Sequence, residues 1–461
     1  MSSSTVYRVV LAVFLVAGIA RSETIPSKPA PAAEPTPAPA TSPPPEAQAV
    51  ADQIARDLEQ IRGLDFKQPV HVESQSVEKF GEYVSRELNE QVPESLRAHY
   101  GHIVRALGLY RGPLIEDFSG MMSTVMTSQV GAYYDPEKKS FFVLMNDMPE
   151  MMMGVMYSHE LYHALQDQYF ELQRYMARDQ SDHIRARNSD ADIARSALVE
   201  GEATYVMSLW MAQKMSGKPP TRDMMGMMVA QMANVNMDQL RASIKNPEAE
   251  KMLGSDFKNA VAAADEIPAF IMESMIGVYL KGMSFVHSVH DQGWPAVEKA
   301  YTEYPPQSTE HILHPDKWLA REAPVVFAWP KFAKVKALRD WELLDDDVLG
   351  EFQWRIIFKE QGLAKDAESA SAGWGGDRYA VFKRKDSDAT LLLLRTAWDN
   401  EAEATEFADA YRRLQAAKFS AAPTPVRVDQ DGTDVFIVEG GEESQVGSLL
   451  KFVKQVRPRK S

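Results

Sequence analysis

Residues 147–170 read DMPEMMMGVMYSHELYHALQDQYF, and within them His159-Glu160-Leu161-Tyr162-His163 sets two imidazoles four residues apart, with a carboxylate directly after the first. Four residues advance an α-helix by slightly more than one turn. On a helix, therefore, both rings leave the same face and can reach one metal ion, while Glu160 can address a water at that metal. The chemistry this pattern implies is zinc-assisted hydrolysis. The flanking residues predict the helix itself. Asp147 suits the cap, Pro149 the first turn and Glu150 the return bond of a capping box, and the helix is expected to run to about Phe170. Met152, Val155, Met156, His159, His163 and Gln166 share one stripe, which places the imidazoles on a largely apolar, core-facing surface.

A catalytic zinc has three protein ligands and keeps a fourth position for water. No third His follows the motif closely: after His163 comes ALQDQYFELQ, and the next His is His183. A carboxylate from a second helix is expected instead. The segment ALVEGEATYV offers Glu200 and Glu202, on a helix predicted to start near Ser189 and to continue past Trp210. Two residues apart on a helix, they point to nearly opposite sides and do not share a metal. Periodicity does not choose between them, since the stripes flanking each are both largely apolar.

HELYH followed by a helix carrying Glu-Gly-x-Ala resembles the gluzincin group of zinc metallopeptidases. There the Glu before the Gly is the third ligand, so the resemblance implies a zincin-like catalytic domain that binds Zn²⁺ through His159, His163 and Glu200. The 36 residues between His163 and Glu200 exceed the separation in several gluzincins. An inserted loop over the polar stretch Arg178 to Asn188 accommodates the difference. The wider pattern, GAYYDPEKKSFFV, HELYHALQDQYF, VEGEA, STEHILHP and GWGGDRY, is similar to a poorly characterised group of bacterial secreted proteins classed as peptidases. That similarity covers most of residues 50–440 and brings no substrate with it.

Residues 131–135 and 140–144 flank Pro136 to Lys139 and read as a β-hairpin whose second strand runs almost directly into the metal helix. In the zincins that the chain resembles, the edge strand beside that helix takes extended peptide by adding it to the sheet. Asp167, one turn beyond His163, is placed to accept from a ligand's second ring nitrogen; a solvated Asp is the competing expectation. Zincins commonly use a later Tyr or His as donor to the developing oxyanion, and His314 in YPPQSTEHILHPDKW is the candidate here. His287 and His290 form a similar pair and carry no assignment. The methionine runs at 121–122, 151–153 and 224–228 read as a soft helical core rather than as copper ligands.

Arg8 followed by the apolar run Val9 to Ala20, with small residues at Ala20 and Ser22, fits a secretory signal peptide over 1–22. Residues 23–48 are Pro/Ala-rich and are expected to form an extended tether. Beyond the signal segment, no stretch is expected to span a membrane. Two domains are expected after the tether: a mostly helical catalytic domain over 49–325 with a small hairpin or sheet, and a smaller α+β domain over 326–461. In the latter, 378–383, 390–395 and 426–438 read as strands and 401–416 as a helix, while Gly373 to Asp377 reads as a tight turn. The overall class is α+β. With 65 Asp and Glu against 50 Lys and Arg, a net charge of −15 argues against nucleic acid as a partner. Without cysteine there is neither a disulfide nor a lipid-bearing thiol.

The chain is thus expected to be an exported zinc metallopeptidase, periplasmic, envelope-associated or secreted, acting on peptide or protein. His159, His163 and Glu200 hold the metal, Glu160 is the general base and His314 the oxyanion donor. Hydrolysis of another amide, such as cell-wall peptide, and a non-enzymatic binding role on the same scaffold are the alternatives.

Overall fold

The computed structural model describes residues 45–458 apart from 93, 128–130, 145–149, 178–186, 234, 236–266 and 420–423. The signal segment, most of the tether, the Asp147 cap and most of the loop after residue 177 lie outside the described residues.

In chain order, helix α1 (Pro45–Arg62) leads into strand β1 (His71–Ser74), then α2 (Val77–Gln91), α3 (Glu94–Leu107) and α4 (Phe118–Thr127). The hairpin β2 (Ala132–Asp135) and β3 (Ser140–Val143) follows, and then the motif helix α5 (Glu150–Phe170) and short α6 (Leu172–Met176). Next come α7 (Ser189–Ser216), α8 (Arg222–Ala233), α9 (Ala269–Val289), α10 (Trp294–Thr302), α11 (Thr309–Leu313) and α12 (Pro315–Leu319). The remainder is β4 (Phe327–Ala328), β5 (Trp341–Asp347), α13 (Gly350–Glu360), β6 (Trp374–Arg384), β7 (Thr390–Trp398), α14 (Glu401–Lys418), β8 (Val426–Asp431), β9 (Asp434–Gly440), α15 (Glu443–Val453) and β10 (Arg457–Pro458). The mixed α+β class follows directly. Residues 45–48, expected to close the tether, instead open α1.

The small sheet has the order β1-β3-β2, with β1 parallel to β3 and β2 antiparallel to it, so β2 is an edge. Every residue of β2 and β3 is buried. The hairpin lies against α5, and α1 packs across both α5 and α7. Helices α7 and α9 make the most extensive helix pairing of the chain. Their closeness rests on two glycines: a Cβ at Gly201 would overlap the backbone of Gly282, and one at Gly282 would overlap Ala197. Any side chain at either position would push the two helices apart.

Helix α9 is part of a segment, Ala269–Gln292, that is long and apolar enough to cross a membrane by length and composition. This corrects the expectation that no such segment follows the signal region. Within the fold 67% of its apolar window is buried, as expected of a core helix packed on α7.

The second sheet is antiparallel, of order β5-β6-β7-β9-β8. Side chains alternate between its faces. Tyr379, Val381, Leu392, Leu394, Val435 and Ile437 join the core with Phe407 and Tyr411 of α14, whereas Ala380, Phe382, Leu391, Leu393, Phe436 and Val438 pack with Val446 and Leu449 of α15. The stretch 426–438 is therefore two strands about a turn at Gly432, where φ is +58°. Gly373 to Asp377 does not form the expected tight turn. It begins β6 through an irregular register between Trp374 and Gly376, and buried Asp377 accepts from Leu349 N, Gly350 N and the indoles of Trp354 and Trp374.

This sheet also fixes the start of α7. Ser189 donates through its backbone N (2.9 Å) and hydroxyl (2.5 Å) to Asp347, and Arg187 pairs with Asp345 and Asp347. One residue on, Asp190 accepts from Thr309 N and Oγ1 of α11. The end of α7 from which Glu200 is positioned is thus tied to two other elements.

Candidate metal centre

Helix α5 carries His159, Glu160 and His163, all buried, into the interior. Helix α7 crosses it and presents Glu200. The His159 and His163 Nε2 atoms lie 3.1 Å apart, and Glu200 Oε2 lies 3.3 Å from the first and 3.1 Å from the second. The rings are nearly perpendicular, at 89°. Four ligands held tetrahedrally about 2.0–2.1 Å from a zinc ion are about 3.3 Å from one another, so the three atoms fit three corners of such a site. Relative exposures of 3% for His159, 7% for His163 and 1% for Glu200 exclude bulk water as their solvent. Glu200 Oε1 is buried without a hydrogen bond of normal geometry, and the Tyr279 phenol is the hydrogen-bonding neighbour of the same carboxylate. Two imidazoles and one carboxylate are a donor set suited to zinc.

The electrostatics among these side chains follow from this crowding. Burial lowers the His159 pKa. His163 is pushed up to about 9: burial opposes its charge, and the Glu200 carboxylate outweighs it. Glu200 is held down at about 2, despite burial, by His163 and His159. A positive charge among these atoms is therefore strongly favoured, whether carried by a proton or by a metal.

Glu160 stands beside the cluster, and its Oε2 accepts from the backbone N of Tyr134 on edge strand β2 at 3.0 Å. Burial pushes its pKa up to about 7. The first strand of the hairpin, rather than the second, is the one bonded to the metal helix.

Glu202, two residues beyond Glu200, points away from the cluster, as helix geometry requires. Its Oε1 accepts from Arg62 Nε (3.0 Å) and Tyr162 OH (2.8 Å), and its Oε2 from Gln166 Nε2 (3.0 Å) and Tyr301 OH (2.7 Å). With four donors and a buried guanidinium, Glu202 is a structural counter-ion, and Glu200 is the carboxylate at the cluster.

The expected partner of a ligand ring, Asp167, is elsewhere. It accepts from Tyr134 OH (2.9 Å), Leu172 N (2.9 Å) and Lys139 Nζ, and is buried rather than solvated. Gln166 takes the place instead, its Oε1 2.8 Å from His163 Nδ1. The sequence carried the signal, a polar residue on the otherwise apolar stripe of α5, three residues after His163.

His314 is not brought to the cluster. It sits between α11 and α12 with Nε2 3.0 Å from Glu351 Oε1, and Glu351 is also held by Arg355. The group next to the cluster is Tyr279 of α9. Its ring stacks on His159 at 5.8 Å between centroids, and burial together with the Glu200 and Glu160 carboxylates raises its phenol well above the ordinary value. Nothing in the local sequence marks Tyr279. Its place depends on the Gly201–Gly282 crossing, three residues further along α9.

His287 and His290 flank the Tyr205 hydroxyl at 3.3 Å each. The exposed methionines Met224 and Met227 of α8 alternate with buried Met225. Glu310, Glu322 and Asp399 form a second group close enough for a metal, but Lys317 Nζ already pairs with all three.

Residues 341–450, from β5 into α15, match a family described as a domain of unknown function, DUF8575. No curated protein and no solved structure matches the chain.

Proposed function

We propose that this chain is an exported, zinc-dependent metallopeptidase. The observation that carries the proposal is the convergence of His159 Nε2, His163 Nε2 and Glu200 Oε2 within 3.1–3.3 Å of one another, with Glu160 alongside. His159, His163 and Glu200 would hold the ion, which when bound supplies Lewis acidity to the scissile carbonyl and to the attacking water.

The remaining work falls to the chain's own side chains. Glu160 would receive the water's proton on its carboxylate and pass it to the departing nitrogen. The bond from Tyr134 N fixes one Glu160 oxygen and so aims the other. Tyr279, whose ring stacks on His159 and whose phenol neighbours Glu200, would donate to the oxyanion, in the role expected of His314.

The test is cleavage of a mixed peptide library by the purified protein and by Glu160→Gln, each loaded with zinc. Cleavage by the wild type, reduced at least about 100-fold in the variant while zinc content is unchanged, is the expected result. Equal cleavage by both proteins would remove Glu160 from the reaction. Cleavage of peptidoglycan amides in place of the library would keep the mechanism and change the substrate.

A further inference from the structure

The hydrogen bonds around Gln166 leave its amide one orientation. Three groups surround one end: Val199 O at 3.0 Å, Glu202 Oε2 at 3.0 Å and Tyr301 OH at 2.9 Å. The first two only accept. Tyr301 spends its proton on Glu202 Oε2, at 2.7 Å, and so presents an oxygen lone pair. That end must therefore be the NH₂ group, because a flipped amide would set its oxygen against a carbonyl, a carboxylate and a hydroxyl oxygen.

With the amide fixed, its Oε1 faces His163 Nδ1 at 2.8 Å and accepts a proton from it. In the neutral ring the hydrogen then resides on Nδ1 and the Nε2 lone pair is directed toward His159 and Glu200, which is the tautomer a metal ligand needs. The frame that holds the amide is itself anchored. Arg62, the last residue of α1, is 2% exposed, donates to Glu202 and Tyr162, pairs with Glu298 and lies over the Trp294 ring. Four elements, α1, α5, α7 and α10, thus meet at one carboxylate.

We propose that Gln166 is the positioning residue of the metal centre, held by Glu202 and Tyr301, and that this frame, rather than the ligands alone, sets metal affinity. The proposal rests on the metal-binding role of His163. A neutral amide suits the position: it selects the tautomer without adding a further carboxylate to a region that already holds Glu160, Glu200 and Glu202. The same frame makes the N-terminal helix a contributor to metal retention, although none of its residues is a ligand.

The experiment is zinc affinity by competition with a chromophoric chelator, on full-length wild type, Gln166→Met, Tyr301→Phe and His163→Ala, under conditions where circular dichroism shows each folded. Gln166→Met keeps the side-chain volume and removes both hydrogen-bonding ends. Its affinity is expected to fall about 10- to 100-fold, with faster zinc release, and that of Tyr301→Phe to fall less. His163→Ala should bind no zinc at this site. Wild-type affinity in Gln166→Met, with zinc present in the wild type and lost in His163→Ala, would overturn the positioning role and leave the metal site intact. Absence of zinc from the wild type would overturn the metal site itself, and the positioning role with it. Should Gln166→Met fail to fold, undiminished affinity in Tyr301→Phe would count against the frame.

Discussion

Gly201 and Gly282 meet backbone against backbone where α7 crosses α9, leaving no room for a Cβ on either. Glu200 directly precedes one of these glycines, and Tyr279 lies three residues before the other. The crossing therefore sets how closely the tyrosine approaches His159, His163 and Glu200. Gly201→Ala should destabilise the protein by about 1–3 kcal/mol despite alanine's better helix propensity. Gly447 of α15 has nothing within 4 Å of where its Cβ would be, so Gly447→Ala should be neutral or stabilising. Thermal melts of the two variants check the contrast, and equal shifts would mean that the crossing tolerates separation.

Glu200→Ala should bear chiefly on zinc binding and Glu202→Ala chiefly on stability, with only the smaller loss of affinity that its hold on Gln166 implies. Glu200→Ala removes a carboxylate from beside two histidines and should abolish tight zinc binding while leaving a folded protein. Glu202→Ala leaves Arg62 buried without its principal counter-ion and should cost about 3–5 kcal/mol of folding stability. Chelator competition and urea unfolding on both variants measure the two effects. The reverse ranking in both measurements would exchange the roles.

How much of this was legible in sequence varied with the range of the interaction that decides each feature. The His159–His163 pair, α5, α7, the hairpin and the strands at 378–383 and 390–395 were legible because spacing along one element determines them. The opposition of Glu200 and Glu202 is legible for the same reason, whereas their ranking comes from the resemblance and not from periodicity, because physically it depends on where Arg62 arrives from 140 residues away. Tyr279 was invisible, since it is placed by a glycine contact between two helices. His314 was misplaced on the same account: its role was inferred from its neighbours in sequence, whereas its partner, Glu351, comes from α13.

His314 should make stability depend on pH. Its pKa is raised above the ordinary histidine value of 6.5, chiefly by the hydrogen bond to Glu351. A raised folded-state value means that the stabilisation is complete below the unfolded value and is lost as pH rises through the folded one. Relative to His314→Ala, the wild type should therefore be more stable at pH 5, an advantage that fades as pH rises above 6.5. Denaturant melts of both proteins across that range test this, and a difference independent of pH would show that the imidazole contributes only packing.

The proposed chemistry requires one metal ion shared by α5 and α7. Elemental mass spectrometry of purified, zinc-supplemented and thoroughly desalted protein measures it, alongside the His159→Ala/His163→Ala double variant. About one zinc per chain in the wild type, and none in the variant, is the predicted result. No stoichiometric metal in the wild type, or the same content in both proteins, would contradict it.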